Sequence, residues 1–553
     1  MLQHKPRKAC DFCYRRRIKC DGKTPQCSSC ALHGSICVFE APSRKARSRR
    51  QDSSKDSEER LRLQVESLQS SLGQALKRVD ELQSLVPPAL NKTPNVLNDS
   101  LPGEYHQVDW VQEEPIGSDG RMPLPPLQEV LSAAEVYLTT LNAILPLFHP
   151  GRLLQMINNW YAQPGRQERK TWAAINVVLA LAHGRIPPEE AILRSENAAY
   201  YLHNAQTVLS EVIMGDSDLV NVQIVLGMVL LFQGTRDLKP ATMLIAVALR
   251  LAHELDLQTR RSECIEPSQT LERARVLWIA YILDRDISMR TGRPPIQRER
   301  DITLEWPSVE PDDGAGMMRN TDGTIAFNFF RYRVQLARIQ GEVYDFVAAT
   351  PAAGTMNDYQ RSEDIVRLNC MLDDWISSIP PPFKPNSVLH TEQPNLCRSF
   401  AVLYATHLAC RTQVYRAHAM DSGWMQTLRN FGKTASQQGR FIPAPLPTPS
   451  LQEWDKLVDE TREFMRLFWD VERRDQAFIW MTACNYVSGS VCLTANIMFK
   501  PYHAAVEYDK SLVNLSISLL DDLIHQTGHK PLKDLQGACE ELLSYARELS
   551  PVG

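Results

Sequence analysis

The chain lacks an apolar run long enough to span a membrane as a helix: the longest, Ile224 to Phe232, covers nine residues where about 18 are needed. No basic stretch leading into an apolar core opens the sequence, so the expectation is an intracellular protein with no secretory leader and no membrane partner. Catalytic signatures are missing too. The 13 histidines are scattered, none in H-E-x-x-H, and neither G-x-S-x-G nor G-x-G-x-x-G occurs. Gly22-Lys23-Thr24 and Gly432-Lys433-Thr434 look like the end of a phosphate-binding loop, but Arg17 and Thr427 stand where its first glycine is required. With carboxylates dispersed over amphipathic helices as solvated faces, no enzyme is expected. Strand alternation and a fixed repeat period are also absent, which argues against a β fold and a regular solenoid.

At 553 residues the chain is long enough for two or more domains with a large core. Its net charge of -4 conceals a division: residues 1–50 hold 13 Lys and Arg against 3 Asp and Glu, a net of +10, which leaves -14 for the remainder. A basic head of this kind favours a polyanion, because binding releases counterions from a phosphate backbone, and the acidic remainder confines such contact to one end. Of 13 cysteines, six lie between residues 10 and 37. The other seven (264, 370, 397, 410, 484, 492 and 539) lie singly, mostly in apolar helical runs, and read as buried small hydrophobes.

The six are Cys10, Cys13, Cys20, Cys27, Cys30 and Cys37, two similar half-units of C-x-x-C followed by a third cysteine. Thiolates two residues apart can grip a metal from the first turn of a short helix, and the third returns behind that helix to close the shell. Two separate tetrahedral sites need eight ligands, so with six sulfurs two must bridge. A disulfide-stapled module fits an intracellular chain poorly, and zinc-ribbon spacings match less well. The pattern resembles the binuclear zinc cluster of fungal transcription factors. That resemblance implies two zinc ions, with Cys10 and Cys27 bridging, Cys13 and Cys20 completing one site and Cys30 and Cys37 the other. Pro25 also stands where the family carries a proline.

Between the second and third cysteines, Tyr14-Arg15-Arg16-Arg17-Ile18-Lys19 is expected to put four cations on one short helix, cations that no small zinc core could bury. In this class of module the segment enters the DNA major groove, where Arg and Lys donate to guanine O6 and N7. The resemblance implies double-stranded DNA as partner and a CGG triplet as target. Arg16 and Arg17 fall on base-approaching positions, Lys19 on a base- or phosphate-contacting one, and Arg15 and Lys8 among the DNA-binding residues. Tyr14 departs from the pattern, which commonly has a basic residue there. Nuclear localisation follows from this expectation, and basic clusters at Arg15 to Lys19 and Arg44 to Arg50 are compatible with import.

The expected domains are a zinc cluster at 8–40, a basic linker at 41–57, a short coiled coil at 58–86, a Pro-rich linker at 87–126 and an all-α regulatory domain at 127–549. Val65, Leu72, Val79 and Val86 take heptad position a, and Leu61, Leu68, Ala75 and Leu82 take d. Valine at a with leucine at d favours a parallel dimer, hence an expected homodimer held by Leu61, Val65, Leu68, Leu72, Val79 and Leu82. A single amphipathic helix packed on the body is the alternative. Within the second linker, Glu104 to Glu114 alternates acids with apolar residues, which suits either a coactivator-binding activation segment or a dock for Trp110 on the body.

Helical periodicity covers approximately 127–145, 168–183, 187–213, 218–233, 239–256, 268–290, 324–348, 358–378, 395–419, 451–470, 473–499, 508–526 and 531–548. One stretch, Glu272 to Ile296 (ERARVLWIAYILDRDISMRTGRPPI), resembles the central motif of the fungal-specific regulatory domain. Leu277, Tyr281, Asp284 and Ser288 recur down one side of it with Trp278 and Arg285 on the flank, and Gly292, Pro294 and Pro295 end the helix. These residues read as pins holding the helix in the core, with a direct ligand role as the alternative. The fold class is thus a small zinc-stabilised module, a short coiled coil and a large all-α regulatory domain. The function expected is a pathway-specific transcription regulator whose body answers to a small-molecule effector or partner protein. A zinc-stabilised scaffold with loose nucleic-acid affinity, or a repressor, is the competing expectation.

Overall fold

The computed structural model describes residues 9–39, 122–184, 191–260, 266–349, 358–388, 394–418, 451–467, 476–527 and 530–549. They divide into two compact units, one within residues 1–100 and one within 101–553. Lys8, the basic linker, Leu61, Val65, Leu68, Leu72, Val79, Leu82 and the acidic segment at 104–114 lie outside the described residues.

The first unit holds two short helices, α1 (Asp11–Arg16) and α2 (Ser28–Leu32). The second is helical with one hairpin. Its first half comprises α3 (Leu127–Thr139), α4 (Leu141–Ile144), α5 (Pro150–Ala162), α6 (Arg169–His183), α7 (Ala191–Gln206), α8 (Leu209–Met214), α9 (Leu219–Phe232), α10 (Lys239–Glu254) and α11 (Pro267–Thr291). Strands β1 (Met317–Arg319) and β2 (Ala326–Asn328) pair antiparallel with Met318 opposite Phe327. Then come α12 (Phe329–Ala349), α13 (Asp358–Ser377), α14 (Pro385–Val388), α15 (Pro394–His418), α16 (Leu451–Leu467), α17 (Gln476–Phe499), α18 (Val506–Thr527) and α19 (Lys530–Leu549).

Local chemistry explains where these helices start and how deep they lie. Helix α9 opens on Asp218, whose carboxylate accepts the Asn221 N–H, and it is buried on every side from Asn221 to Val229, its two polar members Asn221 and Gln223 bonded to backbone carbonyls. Helix α6 is likewise buried from Trp172 to Ala182, with Ala173, Ala174, Ala180 and Ala182 letting neighbours approach closely. Helix α5 falls between two expected runs. Pro150 sits in its first turn, where a missing N–H costs nothing, so a residue that reads as a breaker is here an initiator. The expected 127–145 run is interrupted at Thr140, which leaves helical geometry at φ -108° and ψ -87°. The strands are too short to leave an alternating signature in the sequence. Cys397, Cys410, Cys492 and Cys539 are buried as expected, whereas Cys370 and Cys484 are exposed, so two of the lone cysteines are not core residues.

Apolar residues gather in two cores. One is built by α3 to α11, the other by α12 to α19 with Ile144 of α4 and Phe327 of β2, and α12 serves both: Phe330, Val334 and Ala337 face the first, while Phe329, Leu336, Ile339, Val343 and Phe346 face the second. Polar groups also join the two halves of the body. Asp286 on α11 accepts from Arg333 (2.6 Å) and Gln340 (3.1 Å) of α12. Arg290 donates to the carbonyls of Gln233 (2.9 Å) and Trp480 (3.1 Å), tying the ends of α9 and α11 to α17. At the same junction a Cβ on Gly234 would lie 2.6 Å from that of Ala477, so only glycine admits this approach.

The α11 motif contributes Trp278 and Tyr281 to the first core. Trp278, Tyr281, Asp284 and Arg285 are all buried, Arg285 4.6 Å above the Tyr281 ring. The Asp284 carboxylate accepts the N–H groups of Ile296 (3.0 Å) and Gln297 (3.0 Å), and Arg285 donates to the Gln297 carbonyl (2.7 Å). Gly292 ends the helix at φ 66° with its N–H on the Ser288 carbonyl. The motif therefore pins helix and following loop together, the role expected of it.

Two expectations follow. Asp286→Ala strands the Arg333 guanidinium in the interior and should cost about 3–5 kcal/mol, read as a fall in the urea midpoint. His407 is enclosed against Trp375 and the Leu372 carbonyl, and burial lowers its pKa to about 4 despite the nearby Glu460 carboxylate. The unfolded chain then binds the extra proton below about pH 6.5, so stability is full above that pH and falls as pH drops toward 4, by up to about 3 kcal/mol. Urea midpoints between pH 7.5 and 4.5 should show this slope, and His407→Gln should flatten it.

Candidate metal centre and nucleic-acid interface

Each half-unit puts its first cysteine at a helix start. Cys10 is the N-cap of α1 and Cys27 that of α2, both in extended backbone, so the second cysteine of each pair falls in the first turn beside it. The Cys30 N–H points at the Cys27 sulfur (3.4 Å) and the Cys27 N–H at the Cys37 sulfur (3.3 Å), an arrangement that holds thiolate charge at helix starts. The third cysteines, Cys20 and Cys37, return after the helices, and the Thr24–Pro25 bond between the halves is cis.

All six sulfurs converge. Cys10, Cys13, Cys20 and Cys27 form one group, and Cys10, Cys27, Cys30 and Cys37 a second, with the ligand atoms of each group within 4.8 Å of one another. The two groups share Cys10 and Cys27. Sulfur separations of 3.5 Å (Cys10 to Cys30), 3.6 Å (Cys13 to Cys27) and 3.8 Å (Cys10 to Cys27) are far too long for disulfides. They match the edge of about 3.8 Å that a tetrahedron with zinc–sulfur bonds of about 2.3 Å would have.

The acid–base balance points the same way. Backbone N–H donors draw the shared Cys10 and Cys27 below the usual thiol range. Burial pushes Cys13 up to about 12 and Cys30 upward as well. Without a cation such a cluster resists full ionisation. The donor set thus fits a pair of zinc ions, each of which would stabilise the thiolates around it.

Arg15, Arg16, Arg17 and Lys19 are all exposed, and none pairs with a carboxylate among the described residues. Helix α1 ends one residue before Arg17, which adopts the left-handed conformation (φ 55°) and closes the helix through N–H bonds from Arg17 to Tyr14 and from Ile18 to Cys13. Arg16 lies 5.8 Å from the Phe12 ring. Sequence reasoning missed Asp21, Ser28 and Ser29, which link the two halves. The Asp21 carboxylate takes the Ser28 N–H (3.1 Å) and hydroxyl (2.6 Å), and the Ser29 hydroxyl donates to the Lys19 carbonyl (2.8 Å). An Asp seven residues before a Ser carries no periodic signal that would have revealed the bond.

A zinc-organised module bearing exposed cations, followed along the chain by a large helical body, defines a metal-dependent nucleic-acid-binding regulator as the class. Residues 8–46 match the fungal Zn(2)-Cys(6) binuclear cluster domain and residues 134–377 the fungal specific transcription factor domain. The chain belongs to the fungal binuclear zinc-cluster transcription factors, whose cluster domain binds two zinc ions. Among similar proteins are the ABC-transporter-regulating transcription factors of Aspergillus oryzae (32% identical, covering 76% of this chain and 46% of the relative) and Aspergillus fumigatus (32%, covering 77% and 47%). The fusaridione A cluster transcription factor of Fusarium heterosporum is 23% identical over 81% of this chain and 83% of its own length. The chain spans about half the length of the two Aspergillus relatives.

Chelation should release two zinc ions per chain and abolish amide protection in residues 9–39, while the far-ultraviolet helical signal of the body persists. Atomic emission and hydrogen exchange check this, and a head still protected without metal would contradict it.

Proposed function

We propose that the chain is a nuclear, sequence-specific regulator of RNA polymerase II transcription that binds CGG-type triplets in double-stranded DNA as a homodimer and controls a metabolic or secondary-metabolite gene set. The observation that carries this reading is the pair of four-sulfur groups sharing Cys10 and Cys27, from which the arginine-bearing α1 projects. In it Cys10 and Cys27 bridge two zinc ions, Cys13 and Cys20 complete one shell, and Cys30 and Cys37 the other. Arg16 and Arg17 approach base edges, with Lys19, Arg15 and Lys8 on bases or phosphates.

The heptad at 58–86 pairs two chains, and the linker at 41–57 sets the spacing of their heads. The body, within 127–549, transmits regulation from a coactivator or a small-molecule effector. The printed names of the relatives, which concern transporter regulation and a biosynthetic cluster, support a gene set of metabolic character.

The full chain should bind a duplex carrying paired CGG triplets more tightly than a scrambled one at physiological salt. Arg16→Ala and Arg17→Ala should each remove about 1–3 kcal/mol of that discrimination. Equal affinity for both duplexes, with a steep salt dependence, would replace this reading with a scaffold that holds nucleic acid through charge alone.

A further inference from the structure

We propose that Ser29, in the second half-unit, is a positioning residue for base recognition by the first. The inference rests on the DNA-reading role of α1 and the segment after it. That segment leaves the helix at Arg17, and the last backbone bond tying it to α1 is from the Ile18 N–H to the Cys13 carbonyl (3.1 Å). One residue on, the Lys19 carbonyl receives the Ser29 hydroxyl at 2.8 Å, and two residues on, Asp21 holds both the N–H and the hydroxyl of Ser28. Residues 19–21 are thereby fastened to the start of α2 as well as, through Cys20, to the sulfur group at the start of α1.

Beyond the shared sulfurs, the two halves are joined by the Asp11 N–H on the Val38 carbonyl (2.8 Å), by the Phe12 ring against His33 (centroids 6.0 Å) and by these three side-chain hydrogen bonds. Of the three, only the Ser29 bond falls on a residue of the cationic run, so it orients the Lys19 peptide plane and with it the origin of the lysine side chain. Ser29 lies between Cys27 and Cys30, which places its hydroxyl relative to the metal shell. The second half-unit thus supplies an anchor rather than a base contact.

The test uses the full zinc-loaded chain with the CGG and scrambled duplexes at one salt concentration. Ser29→Ala should lower the affinity ratio by about 2- to 10-fold, the factor that loss of one neutral hydrogen bond carries. Zinc content should stay at two per chain, and affinity for the scrambled duplex should not change. Ser29→Thr keeps the hydroxyl and should restore the ratio. In a Lys19→Ala background Ser29→Ala should lower the ratio no further, a non-additivity that a general loss of structure would not produce. An unchanged ratio in Ser29→Ala, loss of zinc in step with loss of binding, or additive effects with Lys19→Ala would each overturn the assignment. An unsubstituted chain that shows no preference between the duplexes overturns the base-reading role itself, and the positioning role with it.

Discussion

The first unit depends on one electrostatic constraint: thiolates packed at separations of 3.5–3.8 Å need positive charge among them. The 31 described residues of the head contain two short helices and few apolar side chains in their interior; the buried cluster consists of Cys10, Cys13, Cys27 and Cys30, with Phe12, Cys20 and Cys37 against it. Hydrophobic burial on that scale cannot fix a fold. Metal–thiolate bonding has to replace it, and such binding energy is folding energy. The exposure of Leu32 (82%) and Ile36 (83%) makes the same point, since a domain held by its apolar residues would have used them.

The body obeys the opposite rule. Two cores, each rich in fully buried aliphatic and aromatic side chains, supply its cohesion, and polar side chains add ties between them. Buried ion pairs of this kind add little net stability over apolar packing, yet each is costly to break from one side. Asp286 with Arg333 and Gln340, and Arg290 with two backbone carbonyls, therefore specify how the cores meet more than they strengthen the meeting. Gly234 against Ala477 fixes the same junction by sterics, through the absence of a side chain.

Much of this was legible beforehand because the signals were local. Cysteine intervals gave the convergence of six sulfurs and 3.6-residue periodicity gave most helices of the body within a few residues; the cationic run gave exposed charge, but only Arg15 and Arg16 of its four cations lie on the helix, which Arg17 ends in the left-handed conformation. The features that were not legible join residues remote in sequence or contradict a local rule. Pro150 starts a helix, the hairpin strands are three residues long, and Arg290 reaches Trp480 across 190 positions. Periodicity reports only that a residue faces inward. It does not say which core it faces, so the division of α12 between two cores was invisible, as was the hydroxyl bond from Ser29 to Lys19.

That division has a mechanical consequence. Rotation of α12 about its own axis would swing Phe330, Val334 and Ala337 out of one core and Phe329, Leu336, Ile339, Val343 and Phe346 out of the other at the same moment. Resisted from both sides, the helix behaves as a fixed shaft. Turning it would require both cores to repack together.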